Sequence, residues 1–495
     1  MNDHSYVIKG YKPERFFRFF EDISQIPRGS GNEKEISDYL VRFAEERGLE
    51  FYRDEENNVL IKMPATANYA DRSAIVLQGH VDMVCEKNSD VEHDFLKDPI
   101  RLRVDGEYLK TYGTTMGADN GVAVALMLAL LDGELDEHPA YECLFTTNEE
   151  VGLTGAYAFD YSKLSGRSLI NMDSEQEDCV VVGCAGGIRT DINGYVGRFD
   201  IPEGYSLLSV EIKGLMGGHS GENINSGRAN ANKLMGRMLA EVAKVSDVRI
   251  AQLSGGSKEN AIPRECAARL AVSDKEKAIA RIKAISSEIS SELCDDDKAF
   301  ETIVTELTDT DGQRTMGKNA SRALINFINV IPNGVLEMSK DIKGLVEFSR
   351  NLGVVKVEDG KLRMVLSSRS ALESQLDASV TQIDCLKEML DVCAMGEIIA
   401  STDHYSRYPG WRFAKNSPLC DCFTRAYEKL FGKKTEVKII HAGLECGIIS
   451  SRVPDMDIIS IGPNMKDIHS PDETLDLRSC ERFFATVKEI ILDLK

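Results

Sequence analysis

Ala74-Ile75-Val76-Leu77-Gln78-Gly79-His80-Val81-Asp82 reads as a short buried strand that ends in an imidazole, with a carboxylate two residues beyond. An apolar run of this length bounded by glycine fits a strand covered on both faces, as in a largely parallel sheet. Residues 141–146 and 168–172 are similar runs, and each is followed by acidic residues: Glu149-Glu150 after the first, Asp173 after the second. Between them, residues 121–131 are apolar almost all round and predict a buried helix. Asp119 and Asn120 stand immediately before it.

Outward from this core the signals keep alternating. Pro13 and the phenylalanines that follow predict one helix, and residues 36–43, stopped by Gly48, predict a second. Residues 49–53 and 59–62, joined through Asn57-Asn58, predict a hairpin. Strands alternating with helices indicate an α/β layer. From about residue 187 the texture changes to half-exposed strands (206–213, 264–272) and amphipathic helices (229–245, 275–293). A similar order recurs over 353–357, 361–367 and 380–395, which suggests a weak internal duplication. Residues 295–318 read as a polar surface connection. The turn Arg407-Tyr408-Pro409-Gly410-Trp411 precedes a return to the first texture. The expected architecture is a discontinuous catalytic domain (1–186 and 397–495) with a mixed, mainly parallel sheet between helices. An α+β lid domain (187–396), with the duplication as its internal plan, is inserted into it.

The chain has 495 residues with 59 Lys+Arg against 80 Asp+Glu, a net charge of −21. That field repels phosphate and excludes nucleic acid and anionic membrane as expected partners. The first residues lack an apolar core for a secretory signal, and the longest apolar stretch, 122–131, is about half a membrane span. Twelve cysteines are scattered without a paired C-x-x-C; Cys420 and Cys422 alone are a weak metal signal, and reduced thiols in the cytoplasm are the expectation.

Taken singly, each acidic or imidazole site has a plain reading: a surface pair at His80 and Asp82, a solvated face at Glu149-Glu150, a helix cap at Asp119. Their common position just past strand carboxyl ends is where open α/β sheets bind ligands. His469, after a strand over 456–461, joins them. Two imidazoles and three or more carboxylates form a nitrogen and oxygen donor set suited to a pair of divalent ions, zinc first, with manganese or cobalt as alternatives. Such a pair lowers the pKa of a held water, and a neighbouring carboxylate can take its proton. His4, His93, His138 and His404 lack such a setting.

As a set, Gly79-His80-Val81-Asp82, Gly117-Ala118-Asp119-Asn120-Gly121, Asn148-Glu149-Glu150-Val151-Gly152, Asn171-Met172-Asp173 and Ile468-His469-Ser470-Pro471-Asp472-Glu473 resemble the carnosinase and carboxypeptidase G-like co-catalytic zinc peptidases. The strings Gly183-Cys184-Ala185-Gly186-Gly187, Gly217-Gly218-His219-Ser220-Gly221, Asn260-Ala261-Ile262-Pro263-Arg264 and His441-Ala442-Gly443-Leu444-Glu445 narrow the likeness to the aminoacyl-histidine dipeptidase branch. Asn148 departs from the acid many relatives carry before the Glu pair.

The resemblance implies roles. His80 and Asp173 hold one metal, Glu150 and His469 the other, and Asp119 bridges them. Glu149 is the general base, and Asp82 orients His80. The Asp119-Asn120 peptide is cis. His219 stabilises the oxyanion, Asn260 and Arg369 hold the substrate's terminal carboxylate, and the backbone at Gly443 assists. The plain alternative for Arg369 is a strand-end surface charge. The implied activity is hydrolysis of unblocked dipeptides, including those with C-terminal His such as carnosine, under a closing lid. Relatives often pair through the lid, so a homodimer is one assembly the resemblance implies; a duplicated lid serving that purpose within one chain is the other. The alternatives are an N-acyl amino acid amidohydrolase of the same layout and a metal-dependent peptide-binding protein without turnover.

Overall fold

The computed structural model describes residues 6–308, 312–340, 342–413 and 416–494; His4 lies outside them. The chain divides into two compact units. The first comprises Met1–Cys184, Trp411–Ile439 and Leu444–Lys495; the second comprises Ala185–Gly410 and Ile440–Gly443.

The first unit is built on an eight-stranded sheet. Its strand order is Glu50–Arg53, Val59–Met63, Tyr141–Thr146, Ile75–His80, Ser168–Asn171, Asp457–Ser460, Cys179–Cys184 and Glu436–Ile440. The four middle strands, from Tyr141–Thr146 to Asp457–Ser460, run parallel, and the hairpin Glu50–Arg53/Val59–Met63 adds an antiparallel flank. The centre is parallel because the helix Ala118–Leu131 crosses over between Ile75–His80 and Tyr141–Thr146. That helix is buried on every side except at Asp119, as its unbroken apolar sequence requires. Phe16, Phe20 and Ile23 of Glu14–Ile23 belong to the same core. Gly48, left-handed at φ 65°, ends Lys34–Arg47 as its sequence signal predicts.

The second unit carries a nine-stranded sheet, antiparallel throughout, with Gly334–Met338 as a branch on Val346–Glu358. At its middle, Val248–Gly255 pairs with Val346–Glu358. Outward on one side lie Cys266–Val272, Ser206–Lys213 and Glu301–Leu307; on the other lie Lys361–Ser370, Gly186–Val196 and Ile398–Tyr408. The chain order of the two halves matches. A helix precedes each middle strand (Ala231–Val242 and Lys318–Val330), and another precedes each outer strand (Lys275–Glu292 and Glu373–Ala394).

Two sequence expectations need correction. Residues 295–318 are not a mere connection, since Glu301–Leu307 is an edge strand whose open side explains its polar composition. Within that stretch Asp297 is buried, its carboxylate accepting the amides of Met216 (2.8 Å) and Ala229 (2.7 Å). The second unit also extends to Gly410 rather than ending at 396, because Ile398–Tyr408 pairs along Gly186–Val196.

Candidate two-metal centre

Parallel register brings the site together. Ile75–His80 pairs with Tyr141–Thr146 so that His80 lies opposite Thr146, and with Ser168–Asn171 so that Gln78 lies opposite Asn171. The chain therefore leaves the sheet at one level, with Glu149-Glu150 and Asp173 in adjacent loops. Asp119 enters at the head of the buried helix, after Gly117 at φ 69° and before a cis peptide to Asn120.

Asp119 faces both imidazoles. Its Oδ1 lies 3.0 Å from His80 Nε2 and its Oδ2 lies 3.0 Å from His469 Nε2. Asp173 Oδ1 is 3.3 Å from His80 Nε2, and Glu150 Oε1 is 2.9 Å from His469 Nε2. Ligand atoms of His80, Asp119 and Asp173 lie within 4.8 Å of one another, as do those of Asp119, Glu150 and His469, and a third group joins His80, Glu149 and Glu150. All five expected ligands thus meet in two trios that share Asp119. Among the described residues, His93, His138 and His404 belong to no such group.

The electrostatics fit a cation-binding cluster. Burial pushes the Asp173 carboxyl up to about 7 despite His80, with Asp119 and Glu150 adding repulsion. Burial also opposes the charged forms of Asp119 and His469, yet their mutual hydrogen bonds win. Asp119 is held well below the carboxylate range, and His469, which also faces Glu150, rises to about 11. Crowded carboxylates in a dry site call for positive charge, and a divalent ion on nitrogen and oxygen donors meets that demand better than protons.

Glu149 stands beside the trios, its carboxyl raised by burial and by Asp173, Glu150 and Glu445, with His80 opposing. Asp82 is fully buried. Its Oδ1 is 3.3 Å from His80 Nδ1, it accepts from Ser30 Oγ (2.8 Å), and it accepts the amides of Glu149 (3.1 Å) and Glu150 (3.2 Å). One carboxylate therefore lies against the imidazole and accepts both amides of the Glu-Glu turn, while the Asp82 carbonyl is 3.2 Å from the same Nδ1.

The second unit holds the other expected residues. Gly218–His219 pairs with Ala261–Ile262, His219 opposite Ala261, and the Ser220 amide donates to the Asn260 carbonyl (2.8 Å), so the His219 and Asn260 loops are tied. Arg369, on Lys361–Ser370, is 8% exposed, which excludes a surface charge. Its Nη1 donates to the Tyr408 hydroxyl (2.7 Å), while its Nε is buried without a partner. Burial and Arg369 together lower the His219 imidazole's affinity for a proton. His441, in the segment with Gly443, shares a 2.7 Å hydrogen bond with Ser349 Oγ, and burial, Arg369 and His219 push it down to about 3.

Residues 76–493 match the model of peptidase family M20/M25/M40. The chain is 38% identical over 484 residues to the cytosol non-specific dipeptidase of Escherichia coli (strain K12), covering 97% of this chain and 98% of that protein. The chain belongs to peptidase family M20/M25/M40. Accordingly it is a hydrolase of peptide bonds. The crystal structure of aminoacylhistidine dipeptidase from Vibrio alginolyticus superposes with a TM-score of 0.87 at 36% identity, covering 98% of each chain. Aminopeptidase PepT from Bacillus cereus shares the fold alone, at TM-score 0.56 and 15% identity over 97% of this chain and 98% of that one.

Several residues of this M20/M25/M40 chain escaped the sequence reading. Glu445 is fully buried with Oε2 accepting from Gln78 Nε2 (2.5 Å) and Thr146 Oγ1 (2.8 Å), directly under the strand ends that lead to the ligands. Glu473 accepts the amides of Met116 (2.6 Å), Gly117 (3.1 Å) and Ala118 (2.8 Å). Both glutamates sit in quoted motifs, so a signal existed. Arg28, buried and bonded to the carbonyls of Val81, Asp82 and Gly117, had none, because a lone arginine after a helix looks like surface.

Proposed function

We propose that this peptidase hydrolyses unblocked dipeptides, including those with C-terminal His, with two divalent ions held by His80, Asp119, Glu150, Asp173 and His469. The observation that carries the reading is Asp119, whose two oxygens each face a different imidazole, beside the raised carboxyl of Glu149. The printed names of the Escherichia coli and Vibrio alginolyticus relatives support the substrate class. Zinc is the first choice of ion, manganese and cobalt the alternatives, on the chemistry of the donors. The ions, when bound, supply the charge that polarises a scissile carbonyl and acidifies water.

The chain's own residues do the rest. Glu149 takes a proton from the attacking water and returns it to the leaving amine. Asp82 keeps His80 in the tautomer and orientation that present Nε2. His219 stabilises the oxyanion as a hydrogen-bond donor. Asn260, Arg369 and the Gly443 backbone hold the terminal carboxylate. The first unit is the catalytic domain and the second the lid domain. No helix among the described residues is long and apolar enough to cross a membrane, and the name of the Escherichia coli relative supports a cytoplasmic location.

The test is a panel of dipeptides and their N-acetylated forms with ion-loaded protein. Hydrolysis of the free dipeptides alone is expected. Turnover restricted to the acetylated forms would move the assignment to an amidohydrolase, and tight binding without turnover would leave a peptide-binding protein.

A further inference from the structure

Tyr408, the last residue of Ile398–Tyr408, and Gly187 have no part in the chemistry above, yet with Gly443 they converge on Arg369. On the strand Gly186–Val196, Gly187 pairs on one side with Arg369 and on the other with Tyr408. The second pairing is reached through a bulge. From Tyr405 to Tyr408 the chain spends three steps against two on its partner, and Ser406 takes φ 50°. Bulges re-aim side chains, and the Tyr408 ring is carried over Gly187. A Cβ at Gly187 would lie 2.5 Å from the Tyr408 ring, and one at Gly443 would lie 2.7 Å from it. The ring therefore fills the space that two missing side chains leave, and its hydroxyl accepts from Arg369 Nη1 at 2.7 Å.

Arg369 itself asks for an anion. It is 8% exposed, its Nε is buried without a partner, and among the described residues no carboxylate pairs with it. A guanidinium so removed from water is held at a cost that a bound carboxylate relieves. Without a fixed partner its fork would swing, since arginine has many rotamers.

We propose that Tyr408 is a positioning residue that aims the Arg369 fork at the substrate's terminal carboxylate, and that Gly187 and Gly443 are glycine to admit its ring. This rests on the reading that Arg369 binds that carboxylate. The experiment compares kcat and KM of the ion-loaded enzyme on a free dipeptide and on the same dipeptide with a C-terminal amide, for wild type, Tyr408→Phe and Arg369→Gln. Tyr408→Phe raises KM for the free acid about ten-fold, the worth of one hydrogen bond to a charged group, with kcat and the amide's constants little changed. Arg369→Gln abolishes the preference for the acid. If Arg369→Gln keeps the preference, the carboxylate reading fails and the Tyr408 role falls with it. If Arg369→Gln abolishes the preference while Tyr408→Phe keeps it, the reading stands and the Tyr408 role alone is overturned. Should Tyr408→Phe not fold, Gly187→Ala, which displaces the ring and retains the hydroxyl, is expected to reproduce the loss; an unchanged preference there overturns the role equally.

Discussion

Glu473 grips the backbone amide of Gly117 (3.1 Å), while Arg28 holds the carbonyl of the same residue. Glu473 lies four residues beyond His469, and Gly117 two before Asp119, so one glycine ties together the loops of two expected ligands. Arg28 also takes the carbonyls of Val81 (2.8 Å) and Asp82 (3.2 Å), which adds the His80 loop. Glu473→Ala would leave the buried amides of Met116, Gly117 and Ala118 without their acceptor. Leaving a buried donor unsatisfied costs about 1 to 3 kcal/mol. A clearly lowered unfolding midpoint and weaker ion retention are expected by denaturant titration and metal analysis; an unchanged midpoint contradicts the clamp.

Glu149 groups with His80 and Glu150 but lies outside the two trios that share Asp119 and hold all five expected ligands. Glu149→Ala is therefore expected to keep two ions per chain while kcat falls by roughly a hundred-fold or more. Metal analysis alongside steady-state kinetics decides, and near-normal turnover of a loaded variant would remove Glu149 from the role of base.

Chelation is expected to abolish hydrolysis, with recovery on adding zinc, manganese or cobalt. Asp119→Ala, which removes the carboxylate common to both trios, should lower ion content below that of any other single ligand substitution. Full activity in a sample shown to be free of metal would refute the two-ion reading.

His441 makes stability depend on pH. Its imidazole sits at about 3 in the fold, against an ordinary value near 6.5, because burial, Arg369 and His219 disfavour the cation. Above pH 6.5 it is neutral in both states and contributes no pH dependence. As pH falls from 6.5 toward 3 the unfolded chain gains the proton first, so stability drops, levelling only near 3. Between pH 7 and 5 this amounts to about 2 kcal/mol. His441→Gln, compared with wild type by urea unfolding at both pH values, should lose that much less on acidification; equal losses would rule out a buried neutral imidazole.

The strands 75–80, 141–146 and 168–171 and the buried helix were legible because each is apolar along its whole length, and a segment covered on all sides must read that way. The residues of the two trios were legible as candidates because donors of fixed chemical type recur after strands and at the head of the buried helix. The strand Glu301–Leu307 was not, since an edge strand with a solvated side has the composition of a loop. Arg369 illustrates the limit from the other side. The resemblance implied carboxylate recognition, but only the fold shows Arg369 buried, bonded to Tyr408 and, among the described residues, lacking a counter-ion.

Residue order alone determined which groups can carry charge, protons and ions in this protein, and at which strand ends they emerge, because those properties belong to side chains and to local apolar period. The tertiary structure decided which of them face one another: Asp119 between two imidazoles, Asp82 under the Glu149-Glu150 turn, Tyr408 across two glycines onto Arg369. Those pairings join positions far apart in the chain, and the distances between them follow from strand register and loop closure, which no single segment encodes.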